Sequence, residues 1–140
     1  YYAMIENLDV NLGRVVSALR EERLYDDTHI VFFSDHGDMH GSHGKLRKTA
    51  PWEESICVPC VVVGGLRYEM RSGTRSDAPI NHVDMGPTSL GLCGIEVPDW
   101  MLGTDYSHHR LRKVASGVEP DSAYLQLVVP TGHGDSVDRP

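Results

Sequence analysis

Apolar residues recur at three- and four-residue spacing through the first part of the chain, at Ile5, Leu8, Leu12, Val15, Val16 and Leu19. That period gathers them on one face and predicts an amphipathic helix over residues 2 to 23. Glu6 and Asp9 lie early in it and Arg20 and Arg23 late, the order that suits the helix dipole. The period then changes. After a turn at Leu24-Tyr25-Asp26-Asp27, the run Ile30-Val31-Phe32-Phe33 is β-branched and aromatic, which predicts a buried strand over Thr28 to Ser34. Val58 to Val63 is a second run of this kind, and Tyr124 to Val129 is a third strand candidate. Pro51 to Ser55 suits a short helical turn with proline at its first position. Residues 82 to 93 predict a second helix, where Pro87 is tolerated only near the first turn and Gly94 supplies a stop. Residues 64 to 79 and 107 to 122 read as exposed connections, residues 95 to 106 as loop, and the stretch from Pro130 has no pattern that could pack.

Two strands and a possible third fall short of the five or six of a usual sheet. Two helices cannot cover both faces of a parallel one. The pattern therefore predicts the later portion of a larger α/β domain, incomplete as a stand-alone fold and leaving apolar surface exposed. Composition changes little in this picture. A chain of 140 residues is one domain as a prior, and 40% hydrophobic with 24% charged residues is ordinary for a globular chain. A net charge of -7 with no basic stripe argues against a nucleic-acid partner. No apolar run approaches the roughly 18 to 20 residues of a membrane span. Three cysteines give no readable disulfide framework. The chain opens on Tyr1 in mid-pattern, so the expectation is a start inside a longer protein, with its compartment left open.

The chemistry is concentrated between the first two predicted strands. Asp35 and His36 follow directly on the first one, and ligands of open α/β sheets gather just past strand ends. A carboxylate and an imidazole delivered there side by side can share one metal ion. Standing alone, the same pair would be a turn cap and an incidental loop histidine. His36, His40 and His43 have a spacing that suggests a zinc cluster, but Gly37, Gly41 and Gly44 argue against one helix face. The H-E-x-x-H form also fails, because Gly37 follows His36. His40 reads as a surface histidine, and Glu53 and Glu54 as anchors of the loop. Cys57 and Cys60 read as small buried hydrophobes of the second strand. His108, His109 and His133 read as solvated loop histidines.

Asp35-His36-Gly37, then Gly41-x-His43-Gly44, Lys48, Pro51-Trp52-Glu53-Glu54-Ser55 and Val58-Pro59 resemble the second metal-and-substrate segment of the sulfatase family, in the alkaline-phosphatase-like superfamily. The likeness extends to Tyr1 on one side and about Tyr106 on the other. It implies that residues 1 to 106 are the C-terminal part of a catalytic α/β domain, with a mixed or parallel sheet and helices on both faces. Residues 107 to 140 would be a connection into a C-terminal subdomain. It implies a metal-dependent sulfuric ester hydrolase in which Asp35 and His36 bind the cation. Lys48 and His43 would be its catalytic pair here, Lys48 on the sulfate oxygens and His43 in support near Asp35. Calcium is the expected metal, with magnesium, manganese and zinc as alternatives, and many members carry Asn where this chain has His36.

Cys57-Val58-Pro59-Cys60-Val61 begins like the family's C/S-x-P-x-R segment but has Val61 where arginine is required, and the complete motif occurs nowhere in the chain. The formylglycine made from that segment, and the family's pair of N-terminal aspartates, are expected outside these residues. The expected partners are a sulfate ester substrate and the remainder of the same catalytic domain, and the isolated chain is expected to be inactive. Two alternatives remain open: a phosphoric or phosphonate monoester hydrolase of the same superfamily, and a non-catalytic metal-binding fragment.

Overall fold

The structure is a computed structural model that describes residues 1–48, 50–65, 73, 75–111 and 119–125. Helix α1 spans Tyr2–Glu21, close to the span that its apolar period predicts. A 3-10 turn at Tyr25–Asp27 leads into strand β1, His29–Phe33. Helix α2 is the single turn Glu53–Ile56, with Trp52 rather than Pro51 at its start. Strand β2 spans Cys60–Gly64, two residues later than its apolar run suggests. Helix α3 is Met85–Leu92, entered through a 3-10 turn at His82–Asp84. Pro87 falls in its first turn, where a missing N–H costs nothing, and Gly94 follows its end with φ 70°.

The strands pair antiparallel, in register from His29 opposite Gly64 to Phe33 opposite Cys60. The architecture is thus mixed α/β with a small antiparallel sheet, and the excursion between the two strands carries the candidate chemistry. The first strand is half-buried rather than buried, and Cys60, Val61 and Val63 of the second are exposed. Cys57 and Cys60 are therefore exposed thiols, not small buried hydrophobes. Helix α1 has no buried residue. The Arg20 guanidinium, 4.8 Å above the Tyr25 ring, anchors it to the following turn. Tyr124 and Leu125 are not strand, and the rest of that candidate, like His133 and half of residues 64 to 79, lies outside the described residues.

Among the described residues, the buried side chains of Met39, Leu92 and Tyr106 mark where the chain does pack. Around the last two, α3 is held to the loop that follows it by a polar network. Asn81 and Asp84 form a capping box, with the Asn81 N–H donating to the Asp84 carboxylate at 2.7 Å. The same carboxylate accepts from the Thr104 N–H at 2.7 Å. The Thr88 hydroxyl accepts from the Tyr106 N–H at 3.1 Å and donates to the Thr104 carbonyl at 3.3 Å. Asp84 and Thr88 are buried, so these bonds meet a cost that unpaired groups would otherwise leave standing. Ser107 and His108, at the start of the predicted exposed connection, are also buried; that expectation is corrected for these residues.

Candidate functional site

Strand β1 ends at Phe33, and the backbone turns at once. The Ser34 hydroxyl donates to the His36 carbonyl at 2.8 Å, while the Ser34 carbonyl accepts from His82 Nε2 at 2.8 Å. That second bond ties the approach to α3 onto the strand end. The Gly37 N–H donates to the Ser55 carbonyl at 2.8 Å. A Cβ on Gly37 would fall onto the Glu54 carbonyl oxygen, so only glycine lets the α2 backbone cross here at this distance. In this way the far end of the excursion is pinned against its beginning.

Between those ends the chain folds back on itself. The Met39 N–H donates to the Arg47 carbonyl at 2.7 Å, and the Gly41 N–H to the Lys45 carbonyl at 2.9 Å. Met39, fully buried, seats this small closed loop. The tight path uses positive φ at Gly41 and Gly44, and also at His40, His43 and Arg47. The three non-glycine residues each cost about 1 kcal/mol or more, a form of strain that collects at functional sites. Because position 39 is bonded to position 47, Lys48 is carried back towards the residues that leave β1. Its ammonium is among the charges felt by Asp35.

Asp35 and His36 face each other, with Oδ2 3.3 Å from Nε2. The His36 Nδ1 lies 2.8 Å from the Gly37 carbonyl, and a carbonyl can only accept. A proton therefore sits on Nδ1, and Nε2 is the ring atom that meets the carboxylate oxygen. Either a proton on Nε2 or, with that nitrogen unprotonated, a cation shared with the carboxylate satisfies the contact. A hydrogen bond from the remote ring nitrogen to a carbonyl is also how metal-bound histidines are commonly fixed. The donor set thus fits a divalent cation. Partial desolvation pushes the Asp35 carboxyl up. The opposing pull of His36, two backbone N–H groups and Lys48 outweighs it, and Asp35 stays below the ordinary carboxylate range.

The structure gives His43 two partners of its own. Its ring stacks on Trp52 at 4.1 Å, with 16° between the planes, and Nε2 lies 3.7 Å from Glu54. Glu54 is held below its ordinary pKa, first by its own backbone N–H and then by the Ser42 hydroxyl and His43. It fastens the loop to α2. His40 packs edge-on against Tyr1 at 4.2 Å, which sets the beginning of α1 beside the loop.

A group that the pattern of the sequence does not reveal lies further on. A 3-10 turn at Ser107–His109 directs Nε2 of both His108 and His109 to one oxygen of Glu119. The expectation of solvated loop histidines is corrected here: His108 is buried and His109 half-buried. The available signal was the His-His pair itself followed ten residues later by an isolated acid.

A sequence model described as Sulfatase matches residues 1–95. The chain is 32% identical over 103 residues to arylsulfatase K of Xenopus laevis, a match covering 74% of this chain and 19% of that protein. It is 36% identical over 112 residues to an ulvan-active sulfatase of Formosa agariphila, covering 76% and 21% respectively. Among solved structures, a protein in complex with its substrate D-glucosamine-2-N,6-O-disulfate superposes with a TM-score of 0.67 at 32% identity. That superposition covers 75% of this chain and 21% of the other. The chain spans about a fifth of the length of these relatives.

Proposed function

Since the chain belongs to the sulfatase family, we propose that it supplies the metal-binding and substrate-holding loop of a sulfuric ester hydrolase acting on sulfated carbohydrates. The observation that carries this reading is the facing pair of Asp35 Oδ2 and His36 Nε2, with the Lys48 charge brought to bear on it. Asp35 and His36 would hold the divalent cation, calcium by preference for the carboxylate. When bound, that ion supplies Lewis acidity to a sulfate oxygen. Lys48 is assigned to the oxygens of the ester, where a flexible ammonium steadies the negative charge that develops as the bond breaks. His43, stacked on Trp52, keeps the loop closed so that Lys48 stays in reach. The carbohydrate class is suggested by two relatives, one named for its activity on ulvan and one solved with a sulfated glucosamine.

The nucleophile segment lies outside these 140 residues, since no C/S-x-P-x-R occurs among them. The test therefore uses the chain together with the portions that its relatives carry in addition. Sulfated monosaccharides should be turned over, and Lys48→Ala should lower kcat/KM by about 10² to 10³. Asp35→Asn should abolish turnover together with binding of the cation held by Asp35 and His36. Preference for the matching phosphate or phosphonate ester would favour the sister chemistry, which His36 in place of the family's common Asn also suits. An unchanged rate in Lys48→Ala would remove that residue from the site.

A further inference from the structure

Among the described residues, one group brings three metal-ligating side chains together: His108, His109 and Glu119, with their ligand atoms all within 4.8 Å of one another. We propose that this group is a second cation site, for a zinc-class divalent ion, that clasps the segment after α3 to residue 119. It is independent of the activity assigned above and lies elsewhere in the fold. The neighbouring Arg110 donates from Nη2 to the Gly64 carbonyl at 3.3 Å, and Gly64 pairs with His29 at the beginning of β1. Asp35 and His36 follow the opposite end of that strand. Five residues of strand, at roughly 3.4 Å each, separate the two ends.

The donor set is specific in kind. Two imidazole nitrogens and one carboxylate oxygen suit zinc, and suit calcium or magnesium poorly, because those hard ions take oxygen. The geometry is already convergent. Both Nε2 atoms address the same Glu119 oxygen, His109 from 2.8 Å and His108 from closer still, and the two rings lie 4.4 Å apart. Donor atoms around a tetrahedral zinc stand about 3.4 Å apart, given zinc–nitrogen bonds near 2.0 to 2.1 Å. Small side-chain rotations would admit the ion in place of the two N–H donations, leaving a fourth position for water.

Preorganisation comes from the backbone. The His109 N–H donates to the Tyr106 carbonyl and the Arg110 N–H to the Ser107 carbonyl, both at 3.0 Å. Ser107 and His108 are buried, and Ser107 Oγ and His108 Nδ1 have no protein partner. His109 and Glu119 are about one-third exposed, so an ion has a path in.

Zinc alone is the probe, on the full chain carrying Asp35→Asn to silence the first candidate site. One equivalent should still bind, and cobalt substituted for it should give a visible d–d band. Adding His109→Ala or Glu119→Gln should weaken binding by about tenfold or more and remove the band. Because those variants could fold poorly, the third measurement needs neither of them. Zinc should protect His109 from acylation by diethyl pyrocarbonate in the chain carrying Asp35→Asn alone. Absence of that equivalent, unchanged affinity in the folded variants, or an unprotected His109 each overturns the site and leaves a hydrogen-bonded pair of histidines.

Discussion

A histidine whose outer nitrogen is committed to a carbonyl has no freedom left in its tautomer, and at His36 this decides what Asp35 can meet. The adjacency of Asp35 and His36 is legible in the sequence because both are covalently bound to the end of an apolar strand. Lys48 is legible only through the family likeness, since thirteen residues of polar, glycine-rich chain say nothing of where an ammonium returns. His108, His109 and Glu119 are harder still: the pairing depends on a turn and on nine intervening residues, and polar residues in such a stretch look solvated. At this scale Glu54 offers a pH test. Its folded pKa is depressed, so its contribution to loop closure is complete above the ordinary carboxylate range and lost as pH falls through the lowered value. Trp52 reports on closure through its stack with His43. In a Trp100→Phe background its fluorescence should change in an acid transition below the usual glutamate range. Glu54→Gln should remove that transition, and a transition that persists in it would belong to another group.

Each element forms where local pattern and tertiary demand agree. The 3.6-residue period of α1 and the β-branched run of β1 give their positions to within a few residues. The entry to α3 also has a local signature, since Asn81 and Asp84 stand at capping-box spacing. Pairing direction has no such signature: nothing in Ile30 to Phe33 or Val58 to Val63 says that the strands run antiparallel. Nor does sequence reveal that Gly37 meets the backbone of α2, because the contact is made across seventeen residues. That contact carries a prediction for the element pair. Gly37→Ala should destabilise the chain by about 2 kcal/mol through overpacking against the Glu54 carbonyl, measured as a lower urea midpoint at unchanged slope. Gly13→Ala, with open space around its Cβ, should instead stabilise α1 by up to about 1 kcal/mol.

For the molecule as a whole, the expectation of exposed apolar surface is met: Met4, Ile5, Leu8 and Val15 of α1, Phe33 of β1 and Val61 and Val63 of β2 are all exposed. Patches of this sort are interaction surfaces or aggregation hazards. The 140-residue chain by itself should bind a hydrophobic dye and sediment as more than a monomer, and a monodisperse, dye-silent monomer would contradict this. The closed loop between the strands has a consequence for how the protein fails. Leu46 is 75% exposed and stands between Lys45 and Arg47, so a trypsin-like protease finds a ready target there. A nick at that point leaves the five-residue ladder paired and the α3 network intact. It unhooks the return path to residue 48, and the damaged molecule would keep its shape while losing its grip on an anionic ligand.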